Sequence, residues 1–92
     1  MTATGTVFSL APAASFESVG GGAVVLLADS GQLYSCNETS EAFLRHIDGV
    51  RSISVIAGLM IEEFEVAVND LEADLCELAE DLKSEGILTS NK

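Results

Sequence analysis

The groups in this 92-residue chain that could do chemistry are two cysteines, one histidine, fifteen carboxylates and a run of three glycines. Cys36 and Cys76 lie far apart. No CxxC pair or Cys/His cluster accompanies them, so their spacing does not describe a zinc site. A reactive thiol needs a positive neighbour to lower its pKa. Cys36 has Glu38 and Glu41 nearby, and Cys76 lies in an acidic stretch, so both read as inert, Cys36 as a small core residue. His46 has no partnered Ser, Cys or metal cluster and reads as a surface or helix-end residue. Carboxylates are abundant, but acids along an exposed helix are not a tuned acid–base pair. Gly20-Gly21-Gly22 is not a phosphate loop, because no GK[ST] follows and a strand rather than a helix comes next. The expectation is a chain with no catalytic residues, no metal and no cofactor.

Charge narrows the class of partner. The formal net charge is -11, and residues 61–92 hold ten of the fifteen acids against Lys83 and Lys92. Such a surface repels phosphate backbones and argues against nucleic acid. It favours a basic partner or peptide, or simply keeps the chain in solution. The longest apolar run, Ala23 to Ala28, is far too short to span a membrane. The start, Met1 to Gly5, lacks the basic and apolar regions of a signal peptide. A cytoplasmic setting with reduced cysteines is expected.

These groups must be positioned by elements that the pattern makes readable. Residues 1–13 are small and weakly polar and read as a loose arm, with Thr6–Leu10 as an alternative short strand or flap. Ser15 to Val19 alternates, and the three glycines break it. Ala23 to Ala28 is short and partly β-branched, so it reads as a strand. Asp29-Ser30-Gly31 is a hairpin turn, and Gln32 to Cys36 is the return strand. Alternation puts Leu33 and Ser35 on one face and Tyr34 and Cys36 on the other.

Asn37 is suited to cap the first helix, with Glu38 and Glu41 where the helix dipole favours negative charge. Gly49 is expected just past that helix's end. Ser52 caps a second helix from Ile53 to about Phe64. Gly58 inside it costs about 1 kcal/mol against Ala and would permit a close helix contact. A third helix runs from about Ala67 to Ser84. Val68, Leu71, Leu75, Leu78 and Leu82 form its apolar stripe. Asp70, Asp74, Glu77 and Asp81 form a separate acidic line. Gly86 stops the helix, Ile87-Leu88 tuck back, and residues 89–92 fray.

The order predicts one small α+β domain over residues 14–88: a two- or three-stranded N-terminal antiparallel sheet, then three helices, in a winged-helix-like arrangement.

The ordered combination of segments resembles PqqD, the pyrroloquinoline-quinone biosynthesis protein D, and the related precursor-peptide recognition domains of ribosomal-peptide maturation. The carrying residues are Gly31-Gln32-Leu33-Tyr34-Ser35-Cys36-Asn37-Glu38-Thr39, then Phe43 to Asp48-Gly49. Ser52-Ile53-Ser54-Val55-Ile56 follows, and a Leu-rich helix closes at Gly86-Ile87-Leu88. The sequence departs from the pattern at Cys36 (usually Leu), at Val55 (where an acid would complete a capping box) and at Gly58.

What the resemblance implies is a non-catalytic binder of a precursor's leader segment, which adds as a strand to the sheet edge beside the last helix. Gln32, Leu33, Tyr34, Ser35 and Cys36 would supply the edge. Leu71, Leu75 and Leu78 would floor the groove, and Asp70 and Asp74 would rim it. The implied partners are the precursor peptide and a maturation enzyme, whether radical S-adenosylmethionine enzyme, leader protease or cyclase. The quinone, lasso and other peptide pathways stay open, as does a homodimer through the strand edge.

Other classes compete. An acidic carrier protein would need Asp-Ser at the start of a helix, and Asp29-Ser30 lies instead in a turn. A protein-interaction adaptor fits the charge and size. A winged-helix DNA binder fits the fold but not the acidic last helix.

Overall fold

Turns and caps divide the described residues into eight elements. The computed structural model describes residues 3–91; Met1, Thr2 and Lys92, the ends of the expected arm and tail, lie outside the described residues. Strands β1 (Val7–Leu10), β2 (Ala14–Val19), β3 (Gly22–Leu27) and β4 (Gln32–Asn37) come first. Helices α1 (Glu38–His46), α2 (Ile53–Met60) and α3 (Val68–Ser84) follow, and β5 (Leu88–Asn91) comes last.

β2, β3 and β4 form an antiparallel sheet with β3 at its centre. Val25 stands opposite Phe16 and Tyr34, and Leu26 stands opposite Ser15 and Leu33. The period of two therefore buries Ala23, Val25 and Leu27 and exposes Leu26. Gly21, at φ 81, supplies the left-handed residue of the β2–β3 turn. Gly22 is needed for a different reason: a Cβ there would collide with the Cys36 backbone carbonyl. β4 ends the strand order, so its far side is an edge with no strand partner among the described residues.

Both predicted helix caps form. Asn37 Oδ1 accepts from the Ser40 N–H at 2.9 Å, and Ser52 Oγ accepts from the Val55 N–H at 3.3 Å. α1 buries Ala42, Phe43 and Leu44. It ends with Ile47 as its cap, so Gly49 is not the residue just past the helix. Gly49 lies, at φ 80, in a turn held by Asp48 Oδ1, which accepts from the Val50 and Arg51 N–H groups at 2.9 Å.

α2 is shorter than its apolar pattern predicts. The Glu63 and Phe64 N–H groups both donate to the Met60 carbonyl, which curls residues 61–64 into a turn instead of a helical continuation. Arg45 Nη2 anchors that turn by donating to Glu63 Oε1 at 2.9 Å. Gly58 makes no close helix contact, because it is exposed and nothing lies near its absent Cβ.

α3 buries Leu71, Leu75, Ala79 and Leu82 against the core. It stops at Gly86 as predicted. Gly86 has φ 85, its N–H donates to the Lys83 carbonyl, and the Ile87 N–H donates to the Leu82 carbonyl. This is a Schellman termination, and it satisfies the last carbonyls while turning the chain back.

The expected loose arm and fraying tail are instead a second, two-stranded sheet. β1 and β5 pair antiparallel, with Phe8 opposite Ser90 and Leu10 opposite Leu88. Of the alternatives for Thr6–Leu10, the strand is the one observed. The reason is burial: Phe8 is 1% exposed, and covering such a ring contributes about 1.5–3 kcal/mol. The Gly49 and Ile53 N–H groups donate to the Phe8 and Thr6 carbonyls at 3.1 Å, strapping the segment down.

Candidate functional site

The free edge of β4 borders an open cleft of about 390 Å³ whose opposite wall is α3. Alternation aims Tyr34 and Cys36 into this side of the sheet, and residues Tyr34 to Asn37 form the strand wall. Leu78, Asp81, Leu82 and Glu85 form the helix wall, spaced three and four residues apart on one helical face. Ser40 at the start of α1 and Ile87 after the Schellman turn complete the lining. The floor is apolar and the helix-side rim is acidic.

A hydrogen bond crosses the cleft. Tyr34 Oη lies 2.9 Å from both Glu85 Oε1 and Gln32 Oε1. One hydroxyl carries one proton, and the carboxylate is the stronger acceptor. That bond to Glu85, with burial and the Glu85 charge behind it, raises the Tyr34 pKa above its usual 10.0.

The sequence-predicted site residues divide into those at the cleft and those elsewhere. Tyr34, Ser35, Cys36 and Leu78 line it, and Gln32 sits beside it, with Oε1 2.9 Å from Tyr34 Oη. Leu33 faces the opposite side of the sheet and is 67% exposed. Leu71 and Leu75 are core residues, Leu75 with no exposed surface at all. They therefore do not floor the cleft. Asp70 and Asp74 are exposed on the first turns of α3, upstream of the lining. The sequence reading missed Asp81, Leu82, Glu85 and Ile87 as lining residues. Gly86 was the available signal, because its turn brings Glu85 and Ile87 to the end of the cleft.

Burial raises the Cys36 thiol pKa; burial and the Glu72 and Glu80 charges raise that of Cys76. Both cysteines are free. His46 Nε2 sits 3.3 Å from Glu63 Oε2 in the ion-pair network with Arg45 and Glu41. Among the described residues no group of three or more His, Cys, Asp or Glu side chains could hold a metal ion. No helix among them is long and apolar enough to cross a membrane. A second hollow, about 490 Å³, lies on the outer sheet face beside Val19, Leu26 and Leu33, but no helix walls it.

Residues 22–88, which include β4, the cleft and all of α3, match the sequence profile described as Coenzyme PQQ synthesis protein D (PqqD). The chain belongs to the PqqD family. No curated protein matches its sequence. Two solved structures share the fold of this PqqD-family chain. One is described as TbiB1 in complex with the TbiA(beta) leader peptide. It superposes with a TM-score of 0.78 at 15% identity, covering 87% of this chain and 93% of that one. The other is a lasso peptide synthetase B1 complexed with the leader peptide. Its TM-score is 0.77 at 28% identity, covering 89% of this chain and 96% of that one.

Proposed function

We propose that this PqqD-family chain binds the leader segment of a ribosomally made precursor peptide in the β4–α3 cleft and has no catalysis of its own. The observation that carries this reading is the free β4 edge facing a cleft walled by a helix. An extended peptide beside β4 would lie about 4.8 Å from it and use its unpaired N–H and C=O groups. Every second side chain would then enter the cleft toward Cys36, Leu78 and Leu82. The leader-peptide complexes of the two structural neighbours support the same occupant. The groove side of α3 in this proposal is Leu78 to Glu85, about two turns downstream of the Leu71–Leu75 segment.

The chain then delivers the bound precursor to a maturation enzyme: a radical S-adenosylmethionine enzyme, a leader protease or a cyclase. The cytoplasm, where precursors are translated, is the setting this implies. The same edge is also where a second copy could pair, in competition with the peptide. A carrier role is disfavoured because Ser30 lies in the β3–β4 turn and not at a helix start. The acidic α3 disfavours DNA.

The test is a fluorescence-anisotropy titration with the leader of the precursor encoded beside this gene. Saturable binding is expected, and none at about 50 μM contradicts the proposal.

A further inference from the structure

The cleft is acidic on its helix side and contains no base. Asp81 and Glu85 stand four residues apart on the same face of α3, an arrangement in which like charges destabilise a helix. Both also lie in its final turn and cap, where the helix dipole disfavours negative charge. Lys83 lies between them in sequence and, two residues from each, does not face them. Arg45 and Arg51 are engaged with Glu41, Glu63 and Asp48 on α1 and the turn after it. Among the described residues the Asp81 carboxylate has no hydrogen-bond or ion-pair partner, while Glu85 is held at the rim by Tyr34 Oη at 2.9 Å.

We infer that the segment filling this cleft presents a Lys or Arg toward α3, held between Asp81 and Glu85, beside an apolar side chain seated on Leu78 and Leu82. The inference rests on the leader-peptide reading of the cleft and names the chemistry of its occupant. Alternate residues of an added strand point the same way. An apolar residue and a base two positions apart therefore both reach the helix wall. The apolar contact supplies most of the affinity, and the charge pair selects the partner and sets its register.

The test uses the leader encoded beside this gene and a version with each Lys and Arg changed to Gln. Each is titrated against the wild type, the Asp81→Asn/Glu85→Gln double variant and a Glu62→Gln/Glu65→Gln control with the same change in net charge. Circular dichroism checks that all three are folded. The rim double variant should bind the native leader about five- to tenfold more weakly at low salt, and its affinity should respond less to added salt. The control should change less than about twofold, and the Gln leader should bind the wild type as weakly as the native leader binds the rim variant. Wild-type affinity in the rim variant, or equal binding of the Gln leader, overturns this inference and leaves the leader reading standing. No binding of the native leader by the wild type removes both.

Discussion

Tyr34 Oη donates to Glu85 Oε1 at 2.9 Å, joining the middle of the edge strand β4 to the C-cap of α3. The two residues are far apart in sequence, and the bond spans the cleft that their elements enclose. Strand and helix are thereby held at one separation before a ligand arrives. Pre-set geometry of this kind lowers the ordering cost of binding.

Tyr34 is the only tyrosine, and the chain has no tryptophan, so tyrosinate absorbance reports this bond alone. The bond favours the protonated phenol and raises its pKa. Its stabilisation is complete below the unfolded value near 10.0 and is lost as pH rises through the higher folded value. The folded protein should titrate above 10.0, and Glu85→Ala should lower the midpoint. An unchanged midpoint would show that the bond does not persist in solution.

Leu78 and Leu75 lie one turn apart on α3 but have different jobs. Leu78 is half-buried at the cleft, whereas Leu75 is wholly within the core. An arginine at position 78 can extend its charge into water, but at position 75 the charge would be buried. Leu78→Arg should keep a cooperative melt and weaken leader binding by about tenfold or more. Leu75→Arg should lose the cooperative melt. Anisotropy and thermal circular dichroism separate the two, and a Leu78→Arg protein with wild-type affinity would place the groove elsewhere.

Gly58 is inside α2, exposed, with open space where a Cβ would be. Gly58→Ala should therefore stabilise the domain by about 0.5–1 kcal/mol in urea denaturation. A loss of stability would mean that the glycine serves a contact the isolated domain does not show.

Phe8 tests whether the first residues belong to the domain. Its ring lies in the core, and its strand is paired with β5. Phe8→Ala should cost about 3–5 kcal/mol. A loose arm would lose less than about 0.5 kcal/mol, as surface substitutions do.

The elements that frame the cleft were legible where a local rule determines them. Asn37 and Ser52 are caps by type and position, and Gly86 stops α3 for a reason visible in the sequence. The β1–β5 pair was not legible, because Phe8 and Ser90 meet only through the closed fold and no local period announces a partner that distant. The groove residues fall between these cases. A leucine stripe at helical spacing shows that Leu71, Leu75, Leu78 and Leu82 share one side of α3. It cannot show that β4 passes beside the second half of that helix and not the first. That placement is visible in the Tyr34–Glu85 bond, which joins β4 to the end of α3 and is a tertiary outcome. α2 ends before Phe64 in a turn where Glu63 pairs with Arg45 of α1, and no local period records that pairing.

The central claim is that a leader segment adds as a strand to β4 against α3. Amide hydrogen exchange of the full chain, with and without the leader encoded beside this gene, tests it most directly. New protection should appear in Gln32–Asn37 and in the lining turns of α3 from Leu78 to Glu85, with β2 unchanged. Leader binding that protects β2 or the outer sheet face instead, and leaves β4 exchanging as in the free protein, would contradict it.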